Sequence, residues 1–242
     1  MNRKPKAVAK TAKPKKPAPN PVKVARFARE SAAAKKKRTL EIITRLHKEY
    51  PDAKCSLTFR NPYQLLVATI LSAQCTDDRV NQVTPALFKR FPKPNDMADA
   101  RPEELEEMIK STGFFRNKTK SLLGMSNAVV ERHKGNIPDE MDALVELPGV
   151  GRKTANVVLG NAFHKAEGVV VDTHVTRLSQ RLALTQQTDA VKIELDLMDL
   201  VPRDEWTVIS HLFIDHGRAV CKAPTPRCEV CILNDICPSS RV

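Results

Sequence analysis

Four cysteines, Cys221, Cys228, Cys231 and Cys237, fall within seventeen residues in the pattern C-x6-C-x2-C-x5-C. Six cysteines spread evenly over 242 residues would put fewer than one in such a window, so the clustering itself points to a metal centre. Thiolates in that number are soft ligands that suit zinc or an iron–sulfur cluster. A structural zinc held by four cysteines commonly uses two C-x-x-C knuckles, whereas this chain has one short pair, Cys228 and Cys231, with longer reaches on both sides. The uneven stride fits the four corners of a [4Fe–4S] cube better than it fits zinc. Disulfides rank third, because nothing upstream looks like a secretion signal.

The net charge of +12 is unevenly placed. Residues 1–38 hold fourteen Lys and Arg against the single acid Glu30, and the other 204 residues hold 26 basic and 27 acidic groups. The basicity therefore belongs to a tail, and a stretch of Lys, Pro and Ala with few large apolar residues is expected to be disordered over residues 1–36. Such a tail condenses on any polyanion with salt-sensitive affinity, and serves equally as a solubilising extension. There is no apolar run of membrane-spanning length, so the default expectation is an intracellular, cytoplasmic protein without a membrane partner.

From Thr39 onward apolar residues recur at helical spacing, as in Leu40, Ile43 and Leu46, or Leu122, Met125, Val129 and Val130. The punctuation agrees: Asn61-Pro62 and Arg101-Pro102-Glu103-Glu104 open helices, and Gly113 and Gly135 stand just past helix ends. Further helices are expected at Asp77–Arg90, Asp139–Leu147, Arg152–Phe163, His174–Leu184, Asp189–Leu200 and Asp204–Ala219. The best strand candidate, Gly168–Val171, would have nothing to pair with. The pattern predicts an all-α protein of about ten helices.

Between two of these helices lies Leu147-Pro148-Gly149-Val150-Gly151-Arg152-Lys153-Thr154-Ala155. Gly149 and Gly151 leave the backbone bare, so that successive N–H groups can face a phosphate at the start of the next helix. This is the pattern of a helix-hairpin-helix, which grips DNA without reading its sequence, although a P-G-x-G alone is more often an ordinary turn between helices and only the adjoining residues favour the hairpin. Lys153 stands in the first helical turn beside Arg152, and both the helix field and its neighbour disfavour the ammonium. A neutral amine is a nucleophile. Nineteen residues on, Val171-Asp172-Thr173-His174 opens another helix, with Asp172 either capping it or facing the lysine as a charge partner.

These three motifs, in this order and at these separations, resemble bacterial endonuclease III, a DNA glycosylase with AP-lyase activity. The resemblance runs from about Lys36 to Pro238 and includes Leu71-Ser72-Ala73-Gln74-Cys75-Thr76-Asp77 and Gly113-Phe114-Phe115-Arg116-Asn117-Lys118. It implies two helical lobes: a six-helix barrel over residues 55–165, and an iron–sulfur lobe made of residues 37–54 plus 166–242. The active site would lie in the cleft between them. The resemblance further implies that double-stranded DNA carrying damaged pyrimidines or abasic sites is the partner, and that the damaged base is flipped out of the helix. Gln74 would fill the vacated space, and Phe114, where the family commonly has leucine, would wedge into the stack. Lys153 would attack C1′ with Asp172 assisting, and β-elimination would then break the strand. The four cysteines would hold a [4Fe–4S] cluster that is structural and redox-capable. Gly149, Gly151 and Arg152 in the hairpin, with Lys222 and Arg227 between the first two cysteines, would meet phosphates. A monomer suffices for all of this.

Two rival readings have distinct signatures. An adenine-excising relative would carry a glutamate where this chain has Ile70, and a non-catalytic DNA-binding module would need neither Lys153 nor Asp172. His174, His211 and His216 are read as satisfied core or surface groups, since four cysteines complete the centre, and Cys55 and Cys75 as buried thiols.

Overall fold

The computed structural model describes residues 21–242, and residues 1–20 of the basic tail lie outside that range. Among the described residues all regular structure is helical. The helices are α1 (Pro21–Ala28), α2 (Ala32–Glu49), α3 (Pro62–Leu71), α4 (Asp77–Arg90), α5 (Pro94–Ala98) and α6 (Pro102–Ile109). They continue with α7 (Phe115–His133), α8 (Met141–Val145), α9 (Arg152–Ala162), α10 (Thr173–Arg181), α11 (Ala190–Leu200) and α12 (Trp206–Ala219). Most boundaries carry the expected chemistry. Asn61, Thr76, Asp172 and Asp189 each accept a hydrogen bond from the first turn of the helix they open. No helix of the described residues is long and apolar enough to cross a membrane.

The buried apolar residues form two clusters, one per lobe. The first runs from Leu57 to Leu159 and is supplied by α3–α9. The second takes Ile42, Ile43 and Leu46 from α2 and then Val169 to Leu233 from the remainder of the chain. The expected six-helix barrel gains a seventh helix in the single-turn α5, which a proline start and five residues make too short for a periodic signal. Gly168–Val171 is not a strand. Val169 and Val171 are buried in the second core, and the Ser210 hydroxyl donates to the Val170 carbonyl at 2.9 Å, so helix α12 takes the place of a partner strand.

The expectation of a disordered segment up to residue 36 is corrected at its C-terminal end. Helix α1 begins at Pro21 and α2 at Ala32, with Ser31 as N-cap. The physical reason is Arg38, which is 7% exposed and forms a forked ion pair with Glu30 at 2.7 and 2.8 Å. The same guanidinium donates to the Leu182 carbonyl at 2.7 Å and lies over the Phe27 ring. The one acid in the basic stretch is therefore the residue that folds its end back onto the second lobe. Replacing Glu30 by alanine leaves Arg38 buried without its carboxylate, and the expected loss is about 1–3 kcal/mol, read as a lower urea midpoint at unchanged slope.

Candidate active site

The hairpin joins α8 to α9 through Glu146–Gly151. Its two glycines are required for different reasons. Gly149 has φ +78°, and a Cβ there would sit 2.6 Å from the Ser121 Cβ, so both backbone and packing exclude a side chain. Gly151 has extended backbone and no heavy atom within 4 Å of a Cβ position, so nothing inside the protein demands glycine. Its bare face points outward at the start of α9. That helix has neither a side-chain cap nor an acid in its first turn, leaving its leading N–H groups available to an anion.

Lys153 is exposed on the first turn of α9 and, among the described residues, has no hydrogen-bond or ion-pair partner. Asp172 is half-buried at the start of α10, where one carboxylate oxygen accepts from the N–H groups of His174 and Val175, both at 2.8 Å. The two readings of this aspartate are compatible: Oδ1 caps the helix, and the side chain also lines an open cleft of about 410 Å³ together with Lys153. Thr173, Thr176, Arg177 and Gln180 complete one wall of that cleft. Lys153 comes from the first lobe and Asp172 from the second, so the cleft lies on the seam between them.

Arg152 does not stand free beside Lys153. Its guanidinium is held by Glu194 of α11 through two hydrogen bonds of 3.0 Å, and Asn156 donates to the same carboxylate at 2.9 Å. The Arg152 charge is therefore matched by a carboxylate of the other lobe rather than left unpaired beside Lys153. Glu194 is 4% exposed and was not singled out from sequence. The available signal was its place beside Ile193 and one turn before Leu197, on the apolar face of α11.

Gln74 and Phe114 are both exposed, and both have left-handed backbone, with φ of 53° and 49°. Among the described residues three other non-glycine residues share that conformation: Lys134, His164 and Ala183. Each of these follows a helix, where a left-handed residue completes the end. Phe114 instead precedes α7, and Gln74 lies between α3 and α4, so helix termination accounts for neither as simply. Phe114 is 61% exposed, a large ring presented to solvent on a strained turn. Ile70, where a carboxylate would mark the adenine-excising branch, is buried in the first core.

The four cysteines line one small cavity, with Arg181 and Asn234 beside them. Among the described residues no three His, Cys, Asp or Glu side chains lie close enough to hold a single ion. Burial pushes the Cys231 thiol up to about 11 and the Cys237 thiol up to about 12, so any metal that binds must displace their protons. Arg181 donates to the Cys221 sulfur at 3.2 Å and to its carbonyl at 3.1 Å. His216 lies 3.4 Å from the Cys231 sulfur and 3.0 Å from the Tyr50 hydroxyl, and burial lowers it to about 4. His211 pairs with Asn161 and His174 with Arg177, as satisfied groups should. Lys222 and Arg227 are exposed on the loop between the first two cysteines.

The fold thus brings a glycine-rich hairpin, an exposed lysine and a helix-capping aspartate to one cleft at the seam of two helical lobes. Residues 67–203 match the model of the HhH-GPD superfamily base excision DNA repair protein. The chain is 56% identical over 209 residues to endonuclease III of Synechocystis sp., covering 86% of this chain and 95% of that one. It is 46% identical to endonuclease III of Bacillus subtilis, covering 78% and 86%. A solved structure of a trapped endonuclease III–DNA covalent intermediate, an estranged-adenine complex, superposes with a TM-score of 0.79 at 41% identity, covering 84% of this chain and 95% of that one. The chain belongs to the HhH-GPD superfamily, within the endonuclease III family. It is a DNA glycosylase and AP lyase of base excision repair.

The two glycines give a discriminating expectation. Gly149→Ala should lower stability by roughly 2 kcal/mol, from left-handed strain and the Ser121 contact. Gly151→Ala should change stability by under about 1 kcal/mol, the cost of a weaker cap. Affinity for duplex DNA should nevertheless fall in Gly151→Ala, as fluorescence anisotropy against a short duplex would measure.

Proposed function

We propose that Lys153 is the nucleophile of a Schiff-base glycosylase/lyase that removes oxidised pyrimidines from duplex DNA, with Asp172 as its charge partner. The observation that carries this reading is the pairing of an unpartnered lysine and a capping aspartate from opposite lobes on one cleft. The covalent DNA intermediate trapped on a related endonuclease III supports it.

In the proposed reaction the neutral Lys153 amine forms a bond to C1′ as the glycosidic bond breaks, and the departing base takes up a proton. The Asp172 carboxylate, its Oδ1 fixed by two backbone N–H groups, stabilises the positive charge that develops on the sugar and accepts the proton released by the amine. The sugar opens to a protonated imine. Loss of a C2′ proton then expels the 3′ phosphate oxygen, and water hydrolyses the imine to free Lys153. The flipped base leaves a gap for Gln74 to fill opposite the orphaned partner, and Phe114 wedges the stack apart. The estranged adenine in the related complex is consistent with such an orphaned partner. Phosphates are gripped by the bare hairpin at Gly149 and Gly151, by the exposed side of Arg152, and by Lys222 and Arg227. The enzyme acts as a monomer on chromosomal DNA in the cytoplasm.

The donor set and the shared cavity of Cys221, Cys228, Cys231 and Cys237 fit a [4Fe–4S] cluster, since four thiols around a hollow suit a polynuclear body better than one ion. When bound, the cluster would tie the C-terminal loop together and provide a redox-capable centre. The protein should then be yellow-brown with close to four irons and four sulfides per chain. A colourless preparation with stoichiometric zinc would overturn this.

Lys153→Gln should abolish both base removal and borohydride trapping on an abasic-site duplex, while affinity for that duplex falls only modestly. Strand cleavage retained by this variant would assign the Schiff base to another residue. Asp172→Asn keeps a capping oxygen, so it should fold normally, trap slowly and lose rate. Asp172→Ala should in addition cost about 1 kcal/mol of stability through the lost cap.

A further inference from the structure

Lys118 is a charged residue in the core, 5% exposed, on the first turn of α7. Its ammonium donates to two carbonyls, Leu71 and Thr112, both at 2.8 Å. No carboxylate pairs with it among the described residues, and burial holds it below the ordinary lysine range. An apolar side chain of similar length would avoid that desolvation, so the site retains a charge at some cost.

The two acceptors explain what the charge does. Leu71 is the last residue of α3, three residues before Gln74; Thr112 ends a short 3-10 helix, two residues before Phe114. Each carbonyl lies at a helix end, where it lacks an intrahelical donor. One ammonium thus joins the roots of the two loops that carry the exposed, left-handed residues Gln74 and Phe114. Nothing else in the hydrogen bonds of the described residues ties these two loop roots together through one side chain.

We infer that Lys118 is a positioning residue, which fixes the separation of Gln74 and Phe114 so that they enter the base stack as one unit. This rests on the proposed roles of those two residues. Lys118 itself meets neither DNA nor the reacting sugar. Its importance is therefore confined to substrates in which a stack must be opened.

The test compares Lys118→Met with the unaltered full-length enzyme on two substrates, a fully paired duplex with one oxidised pyrimidine and a single strand with one abasic site. The quantity read is the ratio of duplex turnover to borohydride trapping on the single strand, which is independent of the folded fraction of a preparation. The ratio should fall by about tenfold or more, with single-strand trapping changed by less than about twofold. An unchanged ratio, from equal losses on both substrates or from no loss, overturns the inference. If Lys118→Met yields no soluble protein, Lys118→Arg displaces the loop roots while keeping the charge, and the same ratio should fall. Gln74→Ala and Phe114→Ala are measured in parallel. If both leave the ratio unchanged, the roles assigned to those residues fail, whereas a fall in them without one at Lys118 sinks the positioning role alone.

Discussion

The relation between the lobes turns on one buried carboxylate. Glu194 lies on α11 in the second lobe and accepts from Arg152 and Asn156 on α9 in the first. Burying a carboxylate costs several kcal/mol unless its lone pairs are matched, and three donors match this one. Apolar packing alone would hold two lobes together while allowing them to slide. Three directional bonds to one turn of helix fix its rotation, and Lys153 is on that turn. Gly168 is bare for the same reason, because a Cβ there would run into the Glu194 carboxylate. The linker, the hairpin helix and α11 are thus mutually fitted around one charge.

Other polar contacts close the seam along its length. Arg218 of α12 reaches Asp77 at 2.9 Å and the Ser56 hydroxyl at 3.2 Å, holding the start of α4 just after the Gln74 loop. His211 of α12 lies 2.9 Å from Asn161 of α9. The exposed ion pair is worth little by itself. Its effect is geometric: it fixes where the loop with Gln74 stands relative to the second lobe.

The parts of this protein written in short motifs were legible from sequence. Four cysteines, a glycine-rich hairpin, a lysine and an aspartate each have a chemical reason to stand where they do, and the Asn61-Pro62 cap and first-turn proline announced their helix. The single-turn α5 was missed because five residues show no period. Helix α1 was missed because its composition reads as disorder. What folds it is Arg38 meeting Glu30 and the Leu182 carbonyl, and the second of these contacts spans 144 positions in the chain. Glu194 and Lys118 escaped for a related reason. Each is a charge on an apolar helix face, an anomaly that can be seen in the sequence, but its meaning lies in partners up to 47 residues away. Arg152 likewise has a partner that the sequence does not name, Glu194 on another helix.

Helix α10 links the cleft that holds Asp172 to the loop of the four cysteines. The helix starts at Asp172, in the cleft, and nine residues at about 1.5 Å each carry it toward the cysteine loop. From mid-helix Arg177 donates to the carbonyls of Cys221 and Gly217, and from the far end Arg181 donates to Cys221 and to the Lys222 carbonyl. The loop that these arginines hold is irregular, with few apolar contacts of its own beyond Ile232, Leu233 and Ile236. A body bound by all four cysteines would stiffen the same loop, and with it the anchor of α10. If Lys153 and Asp172 have the proposed roles, the cysteine lobe would act on the reaction through position, by keeping that carboxylate at one end of a helix where the lysine of the other lobe can use it.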